Sequence, residues 1–400
     1  MKLAALLLVV GSLAGAAAGA PRAPSESATE ALYAFTPGRP QLRALTRVAP
    51  GTLKPVGRTV HLAAFASAWS FSGDRTRLVL ANERPALRLV DLRRMEREGD
   101  VLLPALAVHT AWLGRSRIVA VTSRDGRLGA VAVDANSRRV VATRRLGRGT
   151  VVRMARARST LALLVAPGGS VGPMRLVTLT AALTVRSVSL PATRGGFGGS
   201  AASGQPGTFR HRLPGLALDR SGERVFVVGD GEPVAEVDLR SLTARYHPRR
   251  TLSASSKSLE GPTIEARWLG GGLLAVAGWR SAGFDASTRE SLREPLGLTV
   301  IDTRNWSERT IDPEAGTFKA VGATLVTYDD GRGVLGYGFA GAERFRLFEG
   351  EKAFVVLALG GRLYVATERT SVGSLMLVDA RDGRVVGRHS GHIPRLLTGP

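Results

Sequence analysis

Two tryptophans and two aspartates set a period. Trp69 precedes two short apolar runs, Leu78-Val79-Leu80-Ala81 and Leu87-Arg88-Leu89-Val90-Asp91, and Trp112 precedes Ile118-Val119-Ala120-Val121 and Val131-Ala132-Val133-Asp134. From Trp69 to Trp112 is 43 residues, and from Asp91 to Asp134 is again 43. The pattern returns at 216–218, 225–228 and Asp238, at Trp268, 273–276 and Asp302, and at 363–367 and Asp379. Short Val- and Leu-rich runs bounded by Gly, Asp, Arg or Pro read as strands, and no segment sustains the period of a helix of about twelve residues.

Four strands joined by tight turns occupy about 40–45 residues, the length of one β-propeller blade. Weaker units follow at 161–180, where Thr180 replaces the aspartate, and at 315–350, which lacks it. The spacing predicts an all-β fold, a single propeller of about seven four-stranded blades over 42–390. Six or eight are the alternatives, because 42–62 and 391–400 can be counted in more than one way. Runs at 42–48 and 56–62 flank the turn Pro50-Gly51. At least one of them is expected to pair with a last blade whose other strands come from the C-terminal end. The recurrent tryptophans are expected to pack between blades, and the aspartates to cap turns at strand ends.

The stretch Asp219-Arg220-Ser221-Gly222-Glu223-Arg224-Val225-Phe226-Val227-Val228, with Glu236-Val237-Asp238, resembles a bacterial YVTN-type β-propeller repeat. So does Gly361-Arg362-Leu363-Tyr364-Val365-Ala366-Thr367 with Leu377-Val378-Asp379. The resemblance implies a propeller fold and an exported protein but no reaction, since the repeat carries no catalytic residues. Similar propellers also include lactonases and lyases, which take acid and base groups from the mouth of the central channel.

Lys2, the apolar stretch 3–13 and Ala18-Gly19-Ala20 form the pattern of a signal peptide over 1–20, cleaved near Ala20. The apolar stretch is too short to span a bilayer, and no later run reaches the length of a membrane helix. A secreted or otherwise extracytoplasmic location follows. Residues 21–41, rich in Pro, Ser and Ala, read as a flexible N-terminal segment, and 391–400 as a C-terminal tail. The chain has no cysteine, which excludes disulfides, thiolate metal sites and a cysteine nucleophile. Lysine and arginine number 55 against 33 acidic residues, a net charge of +22, and only five of the 55 are lysines. Arginine is spread over nearly every unit, as at Arg138-Arg139, Arg144-Arg145 and Arg249-Arg250. Such a field favours salt-sensitive association with polyanions.

In an up-and-down blade, the link between blades and the turn between the second and third strands emerge on one face. The long segments 192–213, 250–262 and 280–296 therefore crowd a single rim, where binding loops on a rigid scaffold usually sit. The ligand-binding candidates there are Arg194, Phe197, Arg210, His211, Lys257, Trp279, Arg280, Phe284, Arg289 and Arg293. Cationic and aromatic groups together suit an anionic or glycan ligand through charge, stacking and cation–π contact. Gly168-Gly169-Ser170-Val171-Gly172 matches the nucleophile-elbow pattern, but a strand rather than a helix follows it. Two overlapping G-x-G-x-x-G matches at 331–341 likewise lack the helix that would hold a phosphate. His389 and His392 have no third ligand nearby.

The resulting expectation is an exported, non-catalytic binding or scaffold protein, with no metal and no cofactor. Its partner is an anionic cell-envelope polymer or a protein, rather than nucleic acid. If the chain is instead an enzyme, Asp230, Glu260, Glu265 and His211 at the channel mouth are the acid and base candidates. A general polyanion binder at the cell surface is the third reading.

Overall fold

A computed structural model describes residues 31–36, 43–62, 68–81, 83–200, 208–249, 262–285, 290–329, 331–367, 372–392 and 395–397. Among them the strands form eight antiparallel sheets and no helix. Seven sheets are contiguous in sequence: blade two over 68–102, three over 106–148, four over 150–212, five over 215–247, six over 263–312, seven over 318–347 and eight over 354–392. Blade one joins the two ends of the described chain: Leu32–Thr36, Arg43–Val48 and Pro55–Leu62 pair in succession, and Arg395–Leu396 adds the fourth strand beside Leu32–Thr36.

Eight apolar clusters fill the spaces between consecutive sheets, including one between blades eight and one. Each sheet is therefore covered on both faces, which is why its second and third strands read as continuous apolar runs. Eight sheets with eight shared cores make a closed ring, an eight-bladed propeller, in place of the seven blades expected. The miscount has a local cause. Blade eight takes all four of its strands from 354–392, so the runs at 42–48 and 56–62 are not needed to complete it and build a further blade instead.

Closure also corrects three boundaries. The stretch read as a flexible lead-in holds strand Leu32–Thr36, paired with Arg43–Val48 from Leu32↔Val48 to Thr36↔Ala44. The stretch read as a tail supplies Arg395–Leu396, with Ala34↔Leu396 in register and the Leu397 amide bonded to the Tyr33 carbonyl at 2.9 Å. The ring thus extends over 32–397 rather than 42–390. The signal peptide lies outside the described residues, among which no helix is long and apolar enough to cross a membrane.

In blade one Arg395–Leu396 is innermost and Pro55–Leu62 outermost. In blades two to eight the first strand is innermost; those of blades two and three touch one another, as do those of blades four, five and six. The fourth is outermost, and Arg139–Arg148 in blade three exposes most of its residues. The recurrent aspartates all lie at the end of a third strand, where one carboxylate oxygen accepts the amide two residues on, as in Asp91 with Arg93, Asp134 with Asn136, Asp238 with Arg240, Asp302 with Arg304 and Asp379 with Arg381. These are Asx turns, and they sit on what we term the lower face. Trp112 is buried between blades two and three, and Trp268 stacks on Phe226 between blades five and six with ring centroids 5.2 Å apart. Of the residues matching the nucleophile-elbow pattern, Gly168, Gly169 and Ser170 lie in the turn between strands Thr160–Ala166 and Val171–Thr180, and Val171 and Gly172 begin the second strand.

Candidate anion-binding face

Links between blades and turns between second and third strands define the upper face, and two β-hairpins rise from it. The first extends blade four, with strands Val185–Ser200 and Thr208–Arg212 in register from Gly196↔Arg212 to Ser200↔Thr208. The long segment 192–213 is therefore a strand on both sides of 201–207. The second extends blade six, where Leu273–Asp285 pairs with Glu290–Pro295 from Trp279↔Pro295 to Asp285↔Glu290. Blade five lies between them.

Four of the ten candidates named from sequence, Arg280, Trp279, Phe197 and His211, are engaged by the protein itself. Arg280 meets Glu294 across the second hairpin, Nε to Oε2 at 2.8 Å and Nη2 to Oε1 at 2.6 Å, a bidentate pair that holds the Glu294 carboxyl below its ordinary range. Trp279 lies so close over Gly316 that a Cβ there would meet the indole at 2.0 Å. Phe197 packs against the core shared by blades four and five. His211 Nε2 lies 3.3 Å from Thr263 Oγ1. The Arg194 amide donates to both oxygens of Glu232, while its side chain is exposed. Arg293 is exposed opposite Ser281. Arg210 pairs with Gly198 and Phe284 with Ser291 in the hairpin registers. Lys257, Arg289 and Glu260 lie outside the described residues.

The acid and base candidates separate. Asp230 and Glu232 occupy the turn of blade five that faces the two hairpins. Burial pushes both carboxyls up, although Arg212 stands beside them and its Nη2 lies 3.1 Å from Glu232 Oε1. Thr193 Oγ1, on a neighbouring strand, is buried without a hydrogen-bond partner among the described residues. Glu265 sits elsewhere, on the innermost strand Thr263–Gly270 of blade six, 3.8 Å from Lys319 Nζ on blade seven. Arg153 of blade four donates to the Ile264 carbonyl at 3.2 Å. Burial lowers the Arg153 pKa and the Glu265 charge opposes that shift. No group of three or more His, Asp or Glu is placed to hold a metal among the described residues.

The uncompensated charge is on blade three. A groove of about 860 Å³ opens on the upper face beside the turn Asp125-Gly126. Arg124, Arg127, Arg144, Arg145 and Arg148 surround it, all exposed, and its floor is small: Thr122, Gly129 and Ala130. Strand pairing creates this cluster. Arg127↔Arg148 and Ala130↔Arg144 are opposed, and an irregularity at Leu128/Gly129 lets Gly129 face Arg145. A Cβ at Gly129 would meet Thr122 Oγ1 at 2.9 Å, so glycine keeps the floor open. Gly149 alone links Arg148 to Thr150 at the start of blade four; its φ of +138° and a Cβ position 2.4 Å from the Ala166 carbonyl exclude any side chain. Asp125 is the one acid of the lining, 3.8 Å from Arg124, and among the described residues no carboxylate lies within ion-pair distance of the other four arginines. The sequence shows Arg144-Arg145 as a dipeptide, but its grouping with Arg124, Arg127 and Arg148 depends on register.

No protein-family model matches the chain, and no curated protein matches it. Among solved structures it is similar to dihydro-heme d1 dehydrogenase NirN in complex with DHE, at 14% identity and a TM-score of 0.59 over 92% of this chain and 74% of that one. It is similar to apo AztD from Citrobacter koseri at 11% identity and a TM-score of 0.51, covering 92% and 96%. The computationally designed Ika8 protein matches at 12% identity and a TM-score of 0.53, covering 85% and 92%. At such identities the likeness concerns the fold. NirN and AztD are β-propeller proteins, and that architecture serves varied roles.

Proposed function

We propose that this chain is an exported, non-catalytic propeller that binds an anionic cell-envelope polymer through the arginine groove on the upper face of blade three. One observation carries the reading: five arginines line a groove together with Thr122, Gly129 and Ala130, and Asp125 is the single acid of the lining. Guanidinium forks match carboxylate, sulfate and phosphate groups bidentately, and a row of them suits a polymer with repeated charges. The leader pattern at 1–20 supports export. The lactonase or lyase reading has less support, because Asp230 and His211 stand at the upper face while Glu265 is paired toward blade seven.

Titration with polygalacturonate across a salt series tests the proposal. Affinity falls steeply with salt, and Arg144→Glu/Arg145→Glu weakens binding by about tenfold or more, since each lost charge contact removes an electrostatic term. Arg280→Ala, which removes a guanidinium already held by Glu294, leaves affinity unchanged. Equal binding by the wild type and the groove variant overturns the assignment.

A further inference from the structure

We propose a second, smaller site at the opposite end of the ring: a pocket for a protonated phosphate group, built from the lower-face turns of blades two, three and four. It is independent of the blade-three groove. A cavity of about 670 Å³ lies where the turns joining the first and second strands of these blades converge, lined by Gly73 and Asp74, Gly114 and Arg115, and Arg156 and Arg158. Gly73 and Gly114 have open space where a side chain would project. In blade five the equivalent turn closes up, and a Cβ at Gly222 would meet the Ala157 carbonyl at 3.4 Å.

Arg156 is held on the wall rather than free in solvent. Its Nη1 donates to the Trp112 carbonyl at 2.8 Å, and Trp112 is fixed in turn by two hydrogen bonds to Ser70. One bond leaves the rest of the guanidinium fork unspent. Arg115 and Arg158 are exposed at the rim, and no carboxylate among the described residues lies within ion-pair distance of any of the three. Burial lowers the Arg156 pKa with no acid to offset it, so an anion in the pocket would relieve that cost.

Asp74 selects among anions. Its Oδ1 accepts Ser72 Oγ at 2.6 Å, the Thr76 amide at 3.1 Å and Thr76 Oγ1 at 2.9 Å. The Ser72 bond leads in holding this carboxyl below its ordinary range, so it stays ionised. Oδ2 makes no hydrogen bond among the described residues. An ionised acceptor beside three guanidinium groups repels sulfate, which has no proton to give. It accepts the O–H that phosphate and its monoesters retain near neutral pH.

Calorimetric titration of the full chain with inorganic phosphate, glycerol 3-phosphate and sulfate tests this. Phosphate or its monoester binds saturably and about tenfold or more tighter than sulfate, and the tighter of the two identifies free or esterified phosphate as the source. Arg156→Gln loses about tenfold or more of that affinity, and Asp74→Asn, which keeps the Oδ1 acceptor of the turn, closes the gap between phosphate and sulfate. Arg115→Gln/Arg158→Gln, confined to exposed positions, gives a second reading if Arg156→Gln does not fold. Arg144→Gln/Arg145→Gln leaves phosphate affinity unchanged, which separates this pocket from the polymer groove. No saturable phosphate binding by the wild type, or wild-type affinity in both Arg156→Gln and Arg115→Gln/Arg158→Gln, overturns the site. Equal affinity for sulfate overturns the role of Asp74.

Discussion

Trp112 donates its indole N–H to the Ser70 carbonyl at 2.9 Å, while its own amide donates to Ser70 Oγ at 3.2 Å. Two residues 42 positions apart thereby join blade two to blade three at the innermost strands. Replacing Trp112 with Phe keeps an apolar ring, strands the buried Ser70 carbonyl and leaves a void. The expected cost is about 2–4 kcal/mol. A lowered denaturant midpoint would show it; an unchanged one would mean the seam repacks.

Asp312 provides a similar test at the junction of blades six and seven. Its carboxylate is almost wholly buried and accepts Thr327 Oγ1 at 2.7 Å, Arg332 Nη2 at 2.9 Å and the Glu314 amide at 3.1 Å. Asp312→Ala leaves those donors without their acceptor and should cost about 3 kcal/mol, with Arg332 partly retained by Glu314. The same carboxylate, after burial itself, raises Tyr337 to about 12. In an ultraviolet titration Tyr337 should therefore ionise well above the ordinary tyrosine range, and Tyr337→Phe should remove that step.

Gly336, one of the glycines that suggest a nucleotide loop in sequence, serves the packing of an aromatic ring. It lies opposite Phe345, and a Cβ at Gly336 would meet that ring at 2.3 Å. Gly336→Val should displace Phe345 from the core between blades seven and eight, at about 2–3 kcal/mol, as overpacking does. Thermal melting of Gly336→Val beside Gly350→Ala, whose site has open space but a positive φ, separates crowding from backbone strain.

The turn aspartates make the fold sensitive to acid. The Arg304 guanidinium holds Asp302 at about 2, and the Ser137 and Ser241 amides lead in lowering Asp134 and Asp238. In Asp91 the Arg94 contacts outweigh an opposing effect of burial. A carboxyl depressed in the fold stabilises it above the unfolded pKa of about 4, and that contribution disappears as pH falls toward the folded value. Melting temperature should therefore fall between about pH 4 and 2. Asparagine at all four positions keeps the turn acceptor but cannot titrate, so that variant should show a shallower decline; the same slope would refute the linkage.

These examples show what one sequence makes legible. The blade period is readable because its markers are local: Asp91 caps its own turn, and the apolar runs flank it. Ring closure depends on pairing Ala34 with Leu396 and on a strand of two residues, which leaves no periodic trace. The face carrying the insertions follows from up-and-down topology, but its chemistry depends on which charges meet. Arg280 looks available until the hairpin register sets Glu294 opposite it, and Arg127 looks isolated until it faces Arg148. Isolated sequence positions identify cations; cross-strand neighbours determine which of them are already neutralised.

The junction of Leu32–Thr36 with Arg395–Leu396 gives the chain an order of assembly. Leu32 and Val48 cannot be seated against their neighbour on that side until blade eight has formed, so the wheel stays open until then. Contacts of such long sequence separation form slowly.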